Sequence, residues 1–367
     1  MAQVVTQPPF FAARPGIRLE GRLEPQLGGD LLQSLLVEET TMGLFRCEAR
    51  FLNWGPESSG EGEGLLLFDG RSVHFGKVMS IELGPPDGGG PVFAGRITGI
   101  EGHYPAAQPP ELVVLAEDRF QDLRLTRRTR SWEKKKDEDV FRTIASAHDL
   151  TPHLDVDGPQ YRVLAQVNQS DLSYLRERAA AIDAELWVDG SDLYVQLRSR
   201  RSAGTGRFVY GQNLVSFSVL ADLAHQRSSV RVCGWDIAGK AALDEQAGES
   251  AVSSELRGGM SGGAVLDRAF SPKKHDERIV SAVPLSKDEA KRLAEARYRD
   301  RARRFVRGTG IVDGSTRIRV GATVELAGLG PWFDGSYYVT AARHTFDQRR
   351  GFRTEFDCER PGIAGDQ

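Results

Sequence analysis

The chain has 367 residues, too many for one simple core, so two or three domains are expected. Its 40% hydrophobic and 27% charged residues form an ordinary globular composition and argue against wholesale disorder. A formal charge of −3 argues against a chain built mainly to neutralise nucleic-acid phosphates, so no nucleic-acid specificity is expected.

The 40 glycines and long stretches of alternating apolar and polar residues favour short strands with many turns, with helix as the minority element. Cys47, Cys233 and Cys358 are odd in number and far apart. A disulfide framework or zinc knuckle needs paired, closely spaced cysteines, so reduced, buried thiols in a cytoplasmic setting fit better. The N-terminal stretch Met1–Ile17 has no basic start followed by an apolar run, so no secretory signal is expected. No segment is apolar for long enough to cross a bilayer, so no membrane insertion is expected.

Residues from about 15 to 120 read as all-β. Strand-like runs occur at Ile17–Glu20, Leu44–Phe51, Lys77–Leu83 and Leu112–Ala116, separated by breaks that include Gly55-Pro56 and Gly84–Pro91. Short strands with long loops point to a small barrel or sandwich. From Arg124 to Asp139 the chain reads as a charged connector, running into a helix from about Asp137 to His148 with Val140, Phe141, Ile144 and Ala145 on its apolar face. Asp137 to Asp139 place acids at the positive end of that helix.

Tyr161 to Leu197 reads as strand, capped helix and hairpin. Ser170 or Asp171 can accept from free N–H groups at the helix start. Leu172, Leu175, Ala179 and Ile182 then make one apolar stripe over roughly four turns. The strands Glu185–Val188 and Leu193–Gln196 flank the turn Asp189-Gly190-Ser191-Asp192.

Further strands are expected at Val215–Val219 and Ser229–Val232, and a flexible, glycine-rich loop at 240–275. Ser286–Arg307 is the clearest long helix, with Ala290, Ala294, Tyr298, Ala302 and Val306 at four-residue steps. The tail returns to strands at Thr316–Val320, Thr323–Leu326, Ser336–Ala342 and Arg353–Phe356. Two β-rich regions thus flank a mixed α/β middle, a layout that resembles an internal duplication without a visible residue-level repeat.

Little in the chain points to chemistry. Gly259-Met260-Ser261-Gly262-Gly263 fits G-x-S-x-G, but it lies in the glycine-rich stretch, with Glu255–Gly258 before it and Ala264–Asp267 after it. It also resembles G-D-S-G-G of trypsin-like proteases, with Met260 in the Asp place. The histidines His74, His103, His148, His153, His225, His275 and His344 show no metal-ligand pairing. The pairs Asp118 with Asp122 and Asp155 with Asp157 read as solvated carboxylates. In Arg124–Lys136 the bases are interleaved with Glu133 and closely followed by Asp137, Glu138 and Asp139, and Trp132 is the single aromatic, which suits a solvated linker or a protein contact better than a nucleic-acid patch. Gly328–Gly335 precedes a strand rather than a helix and reads as a turn, not a phosphate loop.

Three stretches together resemble the phage tail hub family, also called late control D, and the base-hub portion of VgrG-type spikes. They are Gln166–Leu175 with Ala181–Trp187; Phe93–Ile100 followed by Ala116–Arg119 and the Arg-rich run through Trp132; and Gly335–His344 with Gly351–Phe356. The resemblance implies a β-rich α+β fold, with two small β-barrel domains flanking and interrupted by mixed α/β segments. The corresponding division is residues 1–123, a middle domain 124–210, and 211–360 interrupted at about 240–308, with a tail 361–367.

It also implies a homotrimeric baseplate hub whose barrels form a ring of six units between a six-fold inner tube and a three-fold central spike. Its partners would be the inner tube protein, the central spike protein and other baseplate components. It would assemble in the cytoplasm and then become part of a phage tail or injection-system baseplate. On this resemblance no repetitive β-spike or lysozyme-like domain is expected after Gln367, and a separate spike protein is implied. No catalytic residue, metal or cofactor is expected. The alternatives are a serine hydrolase using Ser261 and a surface- or glycan-binding β protein.

Overall fold

The computed structural model describes residues 14–56, 62–68, 70, 72–84 and 89–364. Most of the N-terminal stretch read for a secretory signal therefore lies outside the described residues, as do Pro85–Gly88 of one predicted break and the last three residues of the tail.

Ten strands carry the architecture. The first five are β1 (Leu32–Thr40), β2 (Arg46–Leu52), β3 (Val78–Leu83), β4 (Gly90–His103) and β5 (Glu111–Glu117). The second five are β6 (Leu214–Ala221), β7 (Val306–Asp313), β8 (Thr323–Ala327), β9 (Gly335–Asp347) and β10 (Gly351–Arg360). Their two-residue alternation sorts side chains by face. On β1, Leu35 and Val37 are buried while Leu36 and Glu38 face outward.

The strands pair in the order β6-β7-β10-β9-β1-β2-β5-β4-β3, continued by Gly16–Leu19 and Arg22–Leu23, while β8 joins β9 and carries Thr205–Val209. Among the described residues this is one continuous open sheet, with no closed barrel. Two apolar clusters lie on its inner face. One contains Ile17, Val37, Phe51, Ile81, Ile97 and Val114; the other contains Val312, Val324, Tyr337, Val339 and Phe356.

An α/β block follows β5. Arg127–Lys135 and Tyr161–Ser170 form an antiparallel ribbon, and Thr151–Asp155, Asp192–Leu197 and Ala184–Asp189 form a three-stranded sheet. Against them pack α1 (Asp137–Ala147) and α2 (Asp171–Ala181). The predicted stripe of Leu172, Leu175, Ala179 and Ile182 is buried throughout. Ser170 is the N-cap of α2, accepting from Ser173 N at 3.2 Å.

A second insertion separates β6 from β7. Ser229–Asp236, Ala241–Ala247 and Asp276–Ile279 form a three-stranded sheet, accompanied by α3 (Gly262–Ala269) and α4 (Lys287–Arg303).

Several expectations are corrected. The 240–275 stretch is not a flexible loop, because Ala241–Ala247 pairs with Ser229–Asp236 and α3 is capped and half-buried. The charged connector is a strand whose Trp132 stacks on Tyr174, with ring centroids 5.3 Å apart. The long helix stops at Arg303, and Val306 begins β7 opposite Arg360. Thr316–Val320 is not a strand. It is a turn and loop that buries Ile318 and Val320 without a ladder partner.

Candidate assembly interface

The two sets of five strands repeat one another in register. In each, the first strand leaves a bulge at the same place: Leu32 opposes Phe51 and Ser34 opposes Arg50, as Leu214 opposes Val312 and Ser216 opposes Ile311. In each, the long fourth strand bends at a second bulge, between Ile97 and Gly99 in β4 and between Val339 and Ala341 in β9. The N-terminal half of that strand pairs with an extra strand, Val78 opposing Arg96 in one unit and Thr323 opposing Tyr338 in the other. Bulges bend a strand and re-aim it, so equivalent bulges give equivalent corners.

The duplication suspected from layout is therefore a repeat in register. Its residue-level trace is short: Leu32-Gln33-Ser34-Leu35-Leu36-Val37 against Leu214-Val215-Ser216-Phe217-Ser218-Val219, and Ile97-Thr98 against Val339-Thr340. A search for L-x-S-x-x-V would have found the first pair.

The units meet where the C-terminal half of β9 pairs with β1, from Ala341 opposite Thr40 to Asp347 opposite Ser34. On the outer face one cross-strand row runs Glu355, Arg343, Glu38, Arg46, Glu117, Arg96, alternating in sign over six strands. Directly opposed unlike charges stabilise a sheet and like charges destabilise it, so the row favours this register. Arg343 sits at the seam, 2.9 Å from each of Glu38, Glu355 and Asp357, and these acids raise its pKa against the opposing effect of burial.

Beneath that row Glu39 is almost fully buried, paired with Arg319 and accepting from Val320 N at 3.4 Å. It lines a cleft of about 410 Å³ together with Phe45, Phe93, Trp187, Arg201 and Arg319. Burial raises the Glu39 pKa above its usual 4.5, against the lowering effect of Arg319. A raised folded-state carboxyl pKa favours the protonated chain, so its contribution to stability is fully present below the unfolded value and is lost as pH rises through the folded one. Glu39→Gln is thus expected to flatten the fall in stability above about pH 4.5, read by urea denaturation across a pH series. An unchanged slope would assign the pH dependence elsewhere.

Other singled-out residues hold the blocks together. Asp118 is not solvated. It is buried and accepts from Phe45 N at 2.8 Å and Phe120 N at 2.9 Å, while burial pushes its carboxyl up to about 7. Asp122 does keep partial exposure beside Arg96, and Asp155 and Asp157 pair with Arg200 and Arg292. Asp171 does not cap α2. It gathers Arg130, Arg128, His148 and Gln166. Burial alone would raise its pKa, but the hydrogen bonds from His148 and Gln166 and the Arg130 charge lower it.

His153 pairs with Asp192 and stacks on Tyr194, and His344 is buried in the seam. Cys47 and Cys358 are free and buried, whereas Cys233 is half-buried. The Gly328–Gly335 segment is a turn, as expected.

Ser261 is fully buried and is the N-cap of α3. It accepts from Ala264 N at 3.1 Å and donates to Glu249 Oε2 at 3.0 Å. Its partners are therefore those of a structural cap, and no histidine hydrogen-bonds to it among the described residues. No group of His, Cys, Asp and Glu suited to a metal ion occurs among the described residues. No helix there is long and apolar enough to cross a membrane.

The family model described as Alg8 N-terminal domain matches residues 65–348, well over half of the chain. The chain belongs to the Alg8 N-terminal domain family. No curated protein sequence matches it. Solved structures with a similar fold include the 43 kDa tail protein of prophage MuSo2 from Shewanella oneidensis, with TM-score 0.69 and 11% identity over 95% of this chain and 99% of that one.

A tail protein from Neisseria meningitidis is similar at TM-score 0.68 and 12% identity, covering 96% and 98% of the two chains. An E. coli component of the type VI secretion system, itself described as similar to the T4 bacteriophage tail proteins gp27 and gp5, gives TM-score 0.57 and 10% identity over 95% and 79%. At these identities the likeness is one of fold. This member of the Alg8 N-terminal domain family has the fold of phage tail and VgrG-like proteins, as the sequence resemblance implied.

Proposed function

We propose that the chain is a non-enzymatic, trimeric baseplate hub, joining a six-fold inner tube to a three-fold central spike. The observation that carries this is the duplicated strand unit. A chain with two equivalent units gives six equivalent units in a trimer, so one assembly can meet six-fold symmetry on one side and three-fold on the other. The likeness in fold to tail proteins and to a type VI secretion component supports the same reading.

On this reading each unit with its extra strands is a barrel-like domain, within residues 1–123 and 211–360, and residues 124–210 are the connecting α/β domain. The partners are the inner tube protein, the central spike protein and other baseplate components. Assembly takes place in the cytoplasm, and the product becomes part of a phage tail or injection-system baseplate. The alternating-charge row favours one register at the seam between the units.

Light scattering on the full chain, alone and mixed with inner tube and central spike proteins from the same genome, tests the reading. The expected result is a species of three chains that binds both proteins. A chain that stays monomeric and binds neither would sink the proposal.

A further inference from the structure

We propose that β6 of one copy pairs antiparallel with the free edge of β4 in a second copy of this chain, with Ile100 opposite Ala221, Glu101 opposite Leu220, Gly102 opposite Val219 and His103 opposite Ser218. The template is the seam already present inside the chain. There the C-terminal half of the bent strand of the second unit, β9, pairs with the first strand of the first unit, β1. By the repeat, the C-terminal half of β4 should meet β6 in the same way. Within one chain the two edges do not meet, lying at opposite ends of the β6–β4 layer.

Among the described residues both edges are open. There β3 takes only the first half of β4, from Gly90 to Arg96, and β6 pairs with β7, apart from a bridge between Leu214 and Tyr210 at its start. In the internal seam Val37 and His344 are wholly buried. Their counterparts at the open edges are not: Val219 is half-buried and Gly102 is exposed, while Val215 and Leu220 on β6 are more than half exposed. The β6 sequence Leu-Val-Ser-Phe-Ser-Val-Leu-Ala has no charge and no proline. Natural edge strands are guarded by such residues, and an unguarded one is a site for strand addition.

The occupant is a second copy because the internal seam supplies both partner and register. A head-to-tail contact of this kind is heterologous and closes only as a ring. The choice of three copies rests on the hub reading above.

Cysteine pairs test the register in the full chain with Cys233→Ser as background, since Cys47 and Cys358 are buried. Glu101 and Leu220 are exposed, so substitution there leaves the fold intact. Glu101→Cys with Leu220→Cys places the sulfurs directly across strands. Glu101→Cys with Ser218→Cys separates them by a diagonal beyond disulfide reach. Mild oxidation is expected to give reducible covalent trimers from the first pair, about tenfold more than from the second. A trimer in light scattering without that selectivity overturns the strand pairing and leaves the hub reading standing. A monomer at every concentration, giving no cross-link and binding no tube or spike protein, overturns both.

Discussion

Leu175→Asp is expected to unfold the α/β block and with it to abolish assembly. Leu175 is fully buried on α2, within the cluster that contains Phe120, Phe141, Ile144, Tyr174 and Val195. Removing a buried leucine side chain alone costs about 2–5 kcal/mol, and burying an unpaired carboxylate adds to it. The total is at least about 5 kcal/mol, comparable with the whole stability of a small domain.

The damage should not stay local. The block is tied to the β layer through Asp118 and through Arg176, which donates to Met42 O at 2.6 Å. Ser173→Asp supplies the control, since Ser173 is exposed in the first turn of the same helix, where an acid suits the helix dipole. It should change stability by less than about 0.5 kcal/mol. If Leu175→Asp melted and assembled like the parent, α2 would not pack as described.

How much of this was legible beforehand depended on whether the signal was local. The stripe on α2, the cap Ser170 and the hairpin turn each needed only neighbouring residues, and each was readable. Ser261 resolves the same way, because the serine-glycine pattern that suggests a nucleophile also starts a capped helix. The seam was not legible. It pairs residues some three hundred positions apart, and Glu38 and Arg343 look in sequence like any solvated charges on a strand. Asp118 was misread, and Asp171 was left open as an alternative cap, for a related reason. A carboxylate is buried when backbone donors or arginines converge on it in space, and those partners are not adjacent in the chain. The 240–275 stretch failed because its short elements are stabilised by packing rather than by periodicity.

Arg303→Ala is expected to cost about 3–5 kcal/mol, because it leaves two carboxylates without their shared cation. Arg303 closes α4 and is nearly inaccessible. Its guanidinium donates to both oxygens of Asp183, in the turn after α2, and to Glu255 Oε1 and Oε2 at 2.7 and 2.9 Å. One side chain thus joins the α/β block to the insertion between β6 and β7. Burial opposes its charge, but Glu255 and Asp183 outweigh that and raise its pKa. Arg303→Lys should recover only part of the loss, since a single ammonium cannot fork to both partners.

The pH dependence has a definite sign. Burial would raise the Glu255 carboxyl, but Arg303 holds its pKa below 4.5. That stabilisation is present above the unfolded value and fades as pH falls through the folded one. The deficit of Arg303→Ala should therefore be largest near neutral pH and narrow below about pH 4.5, as protonation of Glu255 relieves its unpaired charge. Adding Asp183→Asn and Glu255→Gln to Arg303→Met should restore most of the stability at neutral pH. If that triple variant stayed as weak as Arg303→Ala, lost packing rather than uncompensated charge would account for the clamp.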